Sequence, residues 1–314
     1  MIIERPLYLK QLIGLRHNGM IKIVTGIRRC GKSFLLSTIY AGWLKEQGVA
    51  DDHIININLE DRRNKALRDP DNLLAFIDSK IKDDDMHYIM IDEIQLVPEF
   101  EDVLNSYLNK PNADVYVTGS NARFLSSNVR TEFAGRGDEI RLHPLSFSKF
   151  NSVRGDDKIL NLREYMIYGG MPQVVLRTTE KEKSEVLKAL FQRTYIRDIV
   201  ERYSIKNSDV LDELLNIVAS SIGGLTNPTK LCNTFESVRH EKVNRMTITS
   251  YLNYLCESFL IEKTSQYDIK GKRYIDSPYK YYFSDCGLRN ARLNFRQIEF
   301  THLMENVIYN ELLI

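Results

Sequence analysis

The chain has 314 residues, 43% apolar and 27% charged, with sixteen glycines and eight prolines. That usage excludes a collagen-like, low-complexity or wholly disordered chain, and the length predicts two domains with room for a further fragment. Basic and acidic side chains number 20 and 21 in residues 1–150 and 23 and 21 in the remainder, a net +1, so any argument for a polyanionic partner has to be local.

The opening MIIERPLYLK is not a signal-peptide pattern, and no apolar run reaches the roughly 18 residues of a membrane span. The expectation is a cytoplasmic protein without a membrane partner. Cys30, Cys232, Cys256 and Cys286 stand far apart without a C-x-x-C pair, which supports neither a disulfide framework nor a zinc site. Up to about residue 145, β-rich runs at 21–25, 54–59, 88–92, 115–119 and 139–142 alternate with helical patterns at 32–47, 70–81 and 99–109. In the second of these, Leu73, Leu74, Ile77 and Ile81 share one helical face. Alternation of this kind predicts an α/β fold, a parallel sheet with helices on both faces.

The strongest local pattern is Gly26-Ile27-Arg28-Arg29-Cys30-Gly31-Lys32-Ser33, which fits G-x-x-x-x-G-K-[ST]. It follows an apolar strand and opens a helix. Gly26 and Gly31 let the backbone curl so that its N–H groups face an anion, and the helix that begins at Lys32 and Phe34 adds its positive end. Lys32 reaches the β- and γ-phosphates in such a loop, and the Ser33 hydroxyl ligates Mg²⁺. Arg28 and Arg29 either raise the local positive potential or are simply solvated. The run Tyr88-Ile89-Met90-Ile91-Asp92-Glu93 supplies the second metal contact, with Asp92 holding Mg²⁺ through its water shell and Glu93 polarising the attacking water. Together these motifs predict ATP or GTP binding, with hydrolysis favoured by Glu93. Ser120, at the end of the next strand, either senses the γ-phosphate or caps a helix. Arg136 either approaches a phosphate of its own or a neighbouring subunit, or is a surface residue.

After Pro144 the pattern turns helical. Residues 161–203 read as helices broken by Gly169-Gly170-Met171-Pro172. Helices at 209–222, 228–237 and 248–260, the last capped by Thr247, precede strand-like runs at 261–267 and 274–283. Three helices and then a hairpin is the order of a winged helix. Its wing carries Lys270, Lys272, Arg273 and Lys280 among Tyr267, Tyr274, Tyr279, Tyr281 and Tyr282, with Arg239, Lys242 and Arg245 just before the third helix, a footprint compatible with DNA.

With these motifs in place, the chain resembles the AAA-type P-loop ATPases that carry a C-terminal domain of unknown function, a winged helix followed by a restriction-endonuclease-like fold. The stretches that carry the resemblance are GIRRCGKS (26–33), IMIDEIQ (89–95), TGSN (118–121), Gly135-Arg136, Pro144-Leu145-Ser146-Phe147, YGGMP (168–172), YIRDIV (195–200) and KYYFSDCGL (280–288). The resemblance implies an AAA-like sheet with the P-loop strand central and the Asp-Glu strand set apart from it, ATP or ADP with Mg²⁺ as ligands, and Arg5 and Pro6 near the adenine. It also implies, through a likeness to signalling ATPases of the STAND group, that Pro172 packs near the nucleotide of a switch. The implied layout is an ATPase domain at 1–150, a helical lid at 151–204, a winged helix at 205–295 and, at 296–314, the first helix of a truncated nuclease-like domain, with Leu303, Val307, Ile308 and Leu312 on its apolar face. The functional expectation is a slow Mg²⁺-dependent ATPase acting as a nucleotide-controlled switch, with a protein partner or a homo-oligomer possible; the alternative is an ATP-regulated DNA-binding protein.

Overall fold

The computed structural model describes residues 2–120, 135–240, 242–265, 278–296 and 298–314. The chain forms two compact units, Met1–Gly26 with Gly31–Leu142, and Ile27–Cys30 with His143–Ile314.

The first unit is built on five parallel strands, β1 (Ile21–Thr25), β2 (Ile54–Asn58), β3 (His87–Asp92), β4 (Ala113–Thr118) and β5 (Gly137–Arg141), in the order β2-β3-β4-β1-β5. β1 lies between β4 and β5, and β4 separates it from β3, so the P-loop strand is internal and the Asp-Glu strand stands one position away, as expected. Every residue of β1 is buried, the mark of a strand covered on both faces. One face packs Ile21, Ile23, Ile57, Ile89, Ile91, Val115 and Val117 against Leu73 and Ile77 of α3 (Pro70–Lys80) and Val103 and Leu104 of α4 (Phe100–Leu108). Asp69 caps α3 by accepting from Asn72 N at 3.0 Å, and Pro70 at the first helical position needs no acceptor for an N–H. The opposite face meets α1 (Pro6–Leu15) and α2 (32–46). There the alternation of β1 turns Lys22 inward to an ion pair with Asp114 in which both side chains are buried. Asp114 also accepts from Tyr116 OH at 2.7 Å and from His17 N at 3.1 Å, and the Tyr116 and Tyr40 hydroxyls lie 2.6 Å apart.

The second unit is mainly helical. It contains α5 (Phe147–Arg154), α6 (Lys158–Tyr168), the short α7 (Pro172–Val175), α8 (180–202), α9 (Ser208–Ser220), α10 (Pro228–Arg239) and α11 (Arg245–Glu257). The antiparallel pair β6 (Ile261–Ser265) and β7 (Tyr279–Phe283) follows, then α12 (Cys286–Arg292) and α13 (Phe300–Leu312). α11 begins three residues before its expected position. Asn244, not Thr247, is its cap, accepting from Met246 N at 2.8 Å and so satisfying one of the free amides of the first turn, while Thr247 lies inside the helix.

The break at 169–172 is a packing site. Gly169 adopts φ 71° beside the Asp285 carboxylate, a side chain on Gly170 would overlap the Leu145 carbonyl, and one on Gly287 would overlap that of Tyr168. Asp285 accepts from Gly170 N at 2.6 Å and Leu288 N at 3.0 Å. Its burial pushes the carboxyl up to about 6, against the opposing pull of these backbone donors. α13 is tied to β7 by Asn306, whose amide accepts from Phe283 N and donates to Phe283 O, both at 2.8 Å. Its Leu303 and Val307 are buried, while Ile308 and Leu312 are exposed. Among the described residues no helix is long and apolar enough to cross a membrane.

Candidate nucleotide-binding site

The loop between β1 and α2 takes its shape from two glycines. Gly26 stands at φ 137° and Gly31 at φ 107°, ψ 21°, backbone angles that side-chain-bearing residues rarely adopt. No atom lies within 4 Å of where a Cβ on Gly31 would be, so the angle, not space, demands glycine there. Lys32 is buried and folds back to donate to Gly26 O at 3.0 Å. This places an ammonium across the loop's mouth.

Three hydroxyls and two carboxylates meet beside it. Ser33 Oγ donates to Asp92 Oδ1 at 2.8 Å, and Thr118 Oγ1 donates to the same oxygen at 2.6 Å. Thr118 Oγ1 in turn accepts from Glu93 N at 2.9 Å. Glu93 sits in the left-handed region, φ 56°, and its buried carboxylate accepts from Ser120 Oγ at 3.0 Å and from Gln95 Nε2. Burial raises the Asp92 carboxyl above its ordinary range; the Thr118 and Ser33 bonds oppose that rise, the Glu93 charge adds to it and the Lys32 charge lowers it. A pocket of about 110 Å³ opens here, lined by Ser33, Ser37, Asn56, Asn58, Asp92 and Thr118 among others.

Lys32, Ser33, Asp92, Glu93 and Ser120 are thus brought together. Thr118, Gln95, Asn56 and Asn58 belong to the same cluster but were not among the expected site residues. For the two asparagines the signal was available: Ile54-Ile55-Asn56-Ile57-Asn58 turns an exposed amide outward at every second position. Of the loop's arch, Ile27 and Cys30 are buried, Arg29 is left-handed at φ 69°, and Arg28 is held. Its carbonyl accepts from Tyr195 OH at 2.8 Å, and its guanidinium lies 3.5 Å from Asp198. Arg28 is therefore not simply solvated. Phe34 is exposed on the first turn of α2.

Arg136 is exposed at the start of β5, where its carbonyl accepts from Ile21 N at 3.0 Å and its guanidinium lies 3.5 Å from Asn105 Oδ1. β1 and β5 run parallel, so Arg136 is at the amino edge of the sheet and the phosphate loop is at the carboxyl edge, about 15 Å along five residues. Within its own subunit Arg136 does not join the cluster. Arg5 is buried at the start of α1 with its guanidinium 5.9 Å over the Tyr8 ring, and Pro6 opens that helix. Pro172 opens α7 in the second unit. Asn121 and the wing residues Lys270, Lys272 and Arg273 lie outside the described residues. Of the other basic residues in that expected footprint, Lys280 pairs with Glu305 at 2.6 Å, Arg239 with Glu213 at 2.6 Å and Lys242 with Glu236 at 3.6 Å.

Comparison with known proteins agrees with this geometry. A family model described as an AAA domain matches residues 18–151, and one described as a domain of unknown function matches 159–299. An uncharacterized protein of Haemophilus influenzae is 35% identical over 99% of this chain and 79% of its own length. An uncharacterized protein of Methanocaldococcus jannaschii is 29% identical over 93% of this chain and 66% of its own. Among solved structures, the Aeropyrum pernix ORC2 protein in its ADPNP and ADP complexes is similar at 11% identity, covering 98% of this chain and 93% of that one with a TM-score of 0.45, a likeness too distant to add to the argument. The chain belongs to the family of AAA-domain proteins that includes the Haemophilus influenzae relative, with a P-loop nucleotide-binding domain ahead of a domain of unknown function.

Proposed function

We propose that the protein is a slow Mg²⁺-dependent ATPase whose nucleotide state acts as a molecular switch. The observation that carries this reading is the single Asp92 oxygen shared by Ser33 and Thr118, with Glu93 anchored through the same threonine. A hydroxyl and a carboxylate 2.8 Å apart are hard oxygen donors suited to Mg²⁺. Ser33 would hold the ion directly and Asp92 through its water shell, and when bound the ion neutralises charge on the β- and γ-phosphate oxygens. Lys32 exchanges its bond to Gly26 O for a phosphate oxygen. Glu93 accepts the proton of the attacking water once its carboxylate turns from Ser120 and Gln95. Ser120, bonded to Glu93, links the state of the γ-phosphate position to the orientation of the base. A nucleotide role for Arg5, Pro6 and Pro172 rests on the family resemblance alone, one for Phe34 on its place in the first turn after the loop, and one for Arg136 on the charge an arginine would bring to a neighbouring subunit's phosphate.

The test is Glu93→Gln, which should retain ATP binding and reduce phosphate release to background. Unchanged release would remove Glu93 from the role of base. The order α9, α10, α11 and then the β6–β7 ribbon supports a winged helix. A DNA-binding reading of it rests on Lys270, Lys272 and Arg273, since Lys280, Arg239 and Lys242 are each beside an acidic partner. Neutralising those three should weaken any DNA binding and flatten its salt dependence.

A further inference from the structure

Three side chains of ligand type converge at the amino ends of β2 and β3, away from the phosphate loop. His53 ends the turn Asp51–His53 that leads into β2, His87 opens β3, and Asp83 lies in the connection from α3 to β3. The parallel register pairs Ile54 with Tyr88, which sets His53 beside His87; their ring centroids are 4.5 Å apart. One donor atom from each of the three residues lies within 4.8 Å of the other two. His53 Nε2 is 3.0 and 3.1 Å from the two Asp83 oxygens, and His87 Nε2 is 4.0 Å from Asp83 Oδ1.

Both imidazoles are oriented in the same sense. His87 Nδ1 is 2.8 Å from the carbonyl oxygen of Asp85, which only accepts, so Nδ1 carries the proton and the Nε2 lone pair faces Asp83. His53 Nδ1 is 3.3 Å from Asp52 Oδ1, which leaves its Nε2 on the inner side as well. A carbonyl or carboxylate behind each imidazole is the arrangement that orients metal-ligating histidines. The loop is also held in place: Asp85 N donates to Asp83 Oδ1 at 3.0 Å and Asn112 Nδ2 to Asp83 O at 2.8 Å. A tetrahedral ion with bonds of about 2.0–2.1 Å separates its donors by about 3.3–3.4 Å. The two separations to Asp83, 3.0 and 4.0 Å, lie on either side of that value, and the two imidazole donors are within 4.8 Å of each other, so closing the site on an ion asks for side-chain movement alone.

We propose that His53, Asp83 and His87 form a transition-metal site of the zinc class, with three protein ligands and an open position for water. Two imidazole nitrogens and one carboxylate select Zn²⁺, Co²⁺ or Ni²⁺ over Mg²⁺ or Ca²⁺. This ion is distinct from the one proposed at Ser33 and Asp92, because His87 and Asp92 are the two ends of β3. Bound there, it ties the loop before β3 to the sheet edge.

The experiment uses the full chain, free of any histidine tag and stripped with chelator, titrated with Co²⁺. The expected result is one ion per chain, visible d–d bands of a four-coordinate site, displacement by Zn²⁺, and a rise in Tm with Zn²⁺. His53→Gln and Asp83→Asn, at the more accessible positions, should each weaken Co²⁺ binding by more than about tenfold. His87 is avoided as the main test because its ring is buried. Absence of Co²⁺ bands and of a Zn²⁺-induced Tm shift in the unmodified chain would overturn the proposal and leave a plain His53–Asp83 ion pair. Binding by both variants as tight as that of the unmodified chain would overturn it equally.

Discussion

Replacing Gly170 by alanine probes whether the Gly169-Gly170-Met171-Pro172 break is there for packing. The added Cβ would overlap the Leu145 carbonyl oxygen and stand 3.1 Å from its carbon and 3.0 Å from Tyr165 Cε2. The backbone oxygen cannot swing aside, because it accepts from Tyr165 OH at 2.8 Å. Restoring an ordinary C···O separation of about 3.3 Å requires the two segments to part. That loosens Leu145 N→Gly170 O at 2.8 Å, Tyr165 OH→Leu145 O, and the charge-assisted bond from Gly170 N to Asp285 at 2.6 Å. At about 1 kcal/mol for each of the two neutral bonds and about 1.5–3 kcal/mol for the charged one, the expected loss is about 3.5–5 kcal/mol. Urea unfolding with the m-value checked measures it. Gly14→Ala is the control: its site is exposed in α1 with nothing within 4 Å, so it should gain about 0.5–1 kcal/mol. A Gly170→Ala protein within 1 kcal/mol of the parent would refute the packing argument. Lost ATP affinity with intact stability would instead make the segment a nucleotide contact.

Lys22→Met leaves Asp114 buried without its counter-charge and should cost about 3–5 kcal/mol in the same unfolding assay; a cost below 1 kcal/mol would show that Tyr116 and His17 suffice. Asp285 titrates near 6 when folded against an ordinary 3.8. Between those values the folded chain holds the proton and the unfolded chain does not, so stability should fall by about 3 kcal/mol as pH rises from about 4 to 6. Asp285→Asn should remove that slope whatever its constant offset, and an unchanged slope would assign it to other groups. Thr118→Val removes the bond that orients Asp92 and orphans Glu93 N, which should lower ATP turnover about 10- to 100-fold with the fold intact; turnover within twofold of the parent would show that Ser33 alone positions Asp92.

The phosphate loop was legible because everything it needs is adjacent in the chain: an apolar strand, two glycines with left-handed angles, a lysine and a helix start. The separation of the Asp-Glu strand from the P-loop strand is implied by the family resemblance; the full order of the five strands is not read from the sequence. What escaped depends on distant partners. α12 shows no amphipathic period because residues Cys286 to Ala291 are all buried. Arg289 in it is satisfied by Ala219 O at 2.8 Å, seventy residues away. The sequence leaves Arg136 open between a phosphate of its own subunit, one of a neighbouring subunit and the surface; the start of β5 just after it puts it at the amino edge of the sheet, away from its own loop. The His53, Asp83 and His87 cluster was written as Asp-Asp-His and Asp-Asp-Asp-Met-His before two strands, but only the register of β2 and β3 makes those runs neighbours.

The bond between Gly170 and Asp285 joins positions 115 residues apart. During synthesis at about 5–20 residues per second, the glycine half of this clasp leaves the ribosome several seconds before its aspartate half is made. Closing a loop of that length costs about 4 kcal/mol of chain entropy, so the clasp forms late, on helices already assembled. Premature stops between the two motifs should therefore yield chains whose early helices lack their buttress, a ready target for proteases.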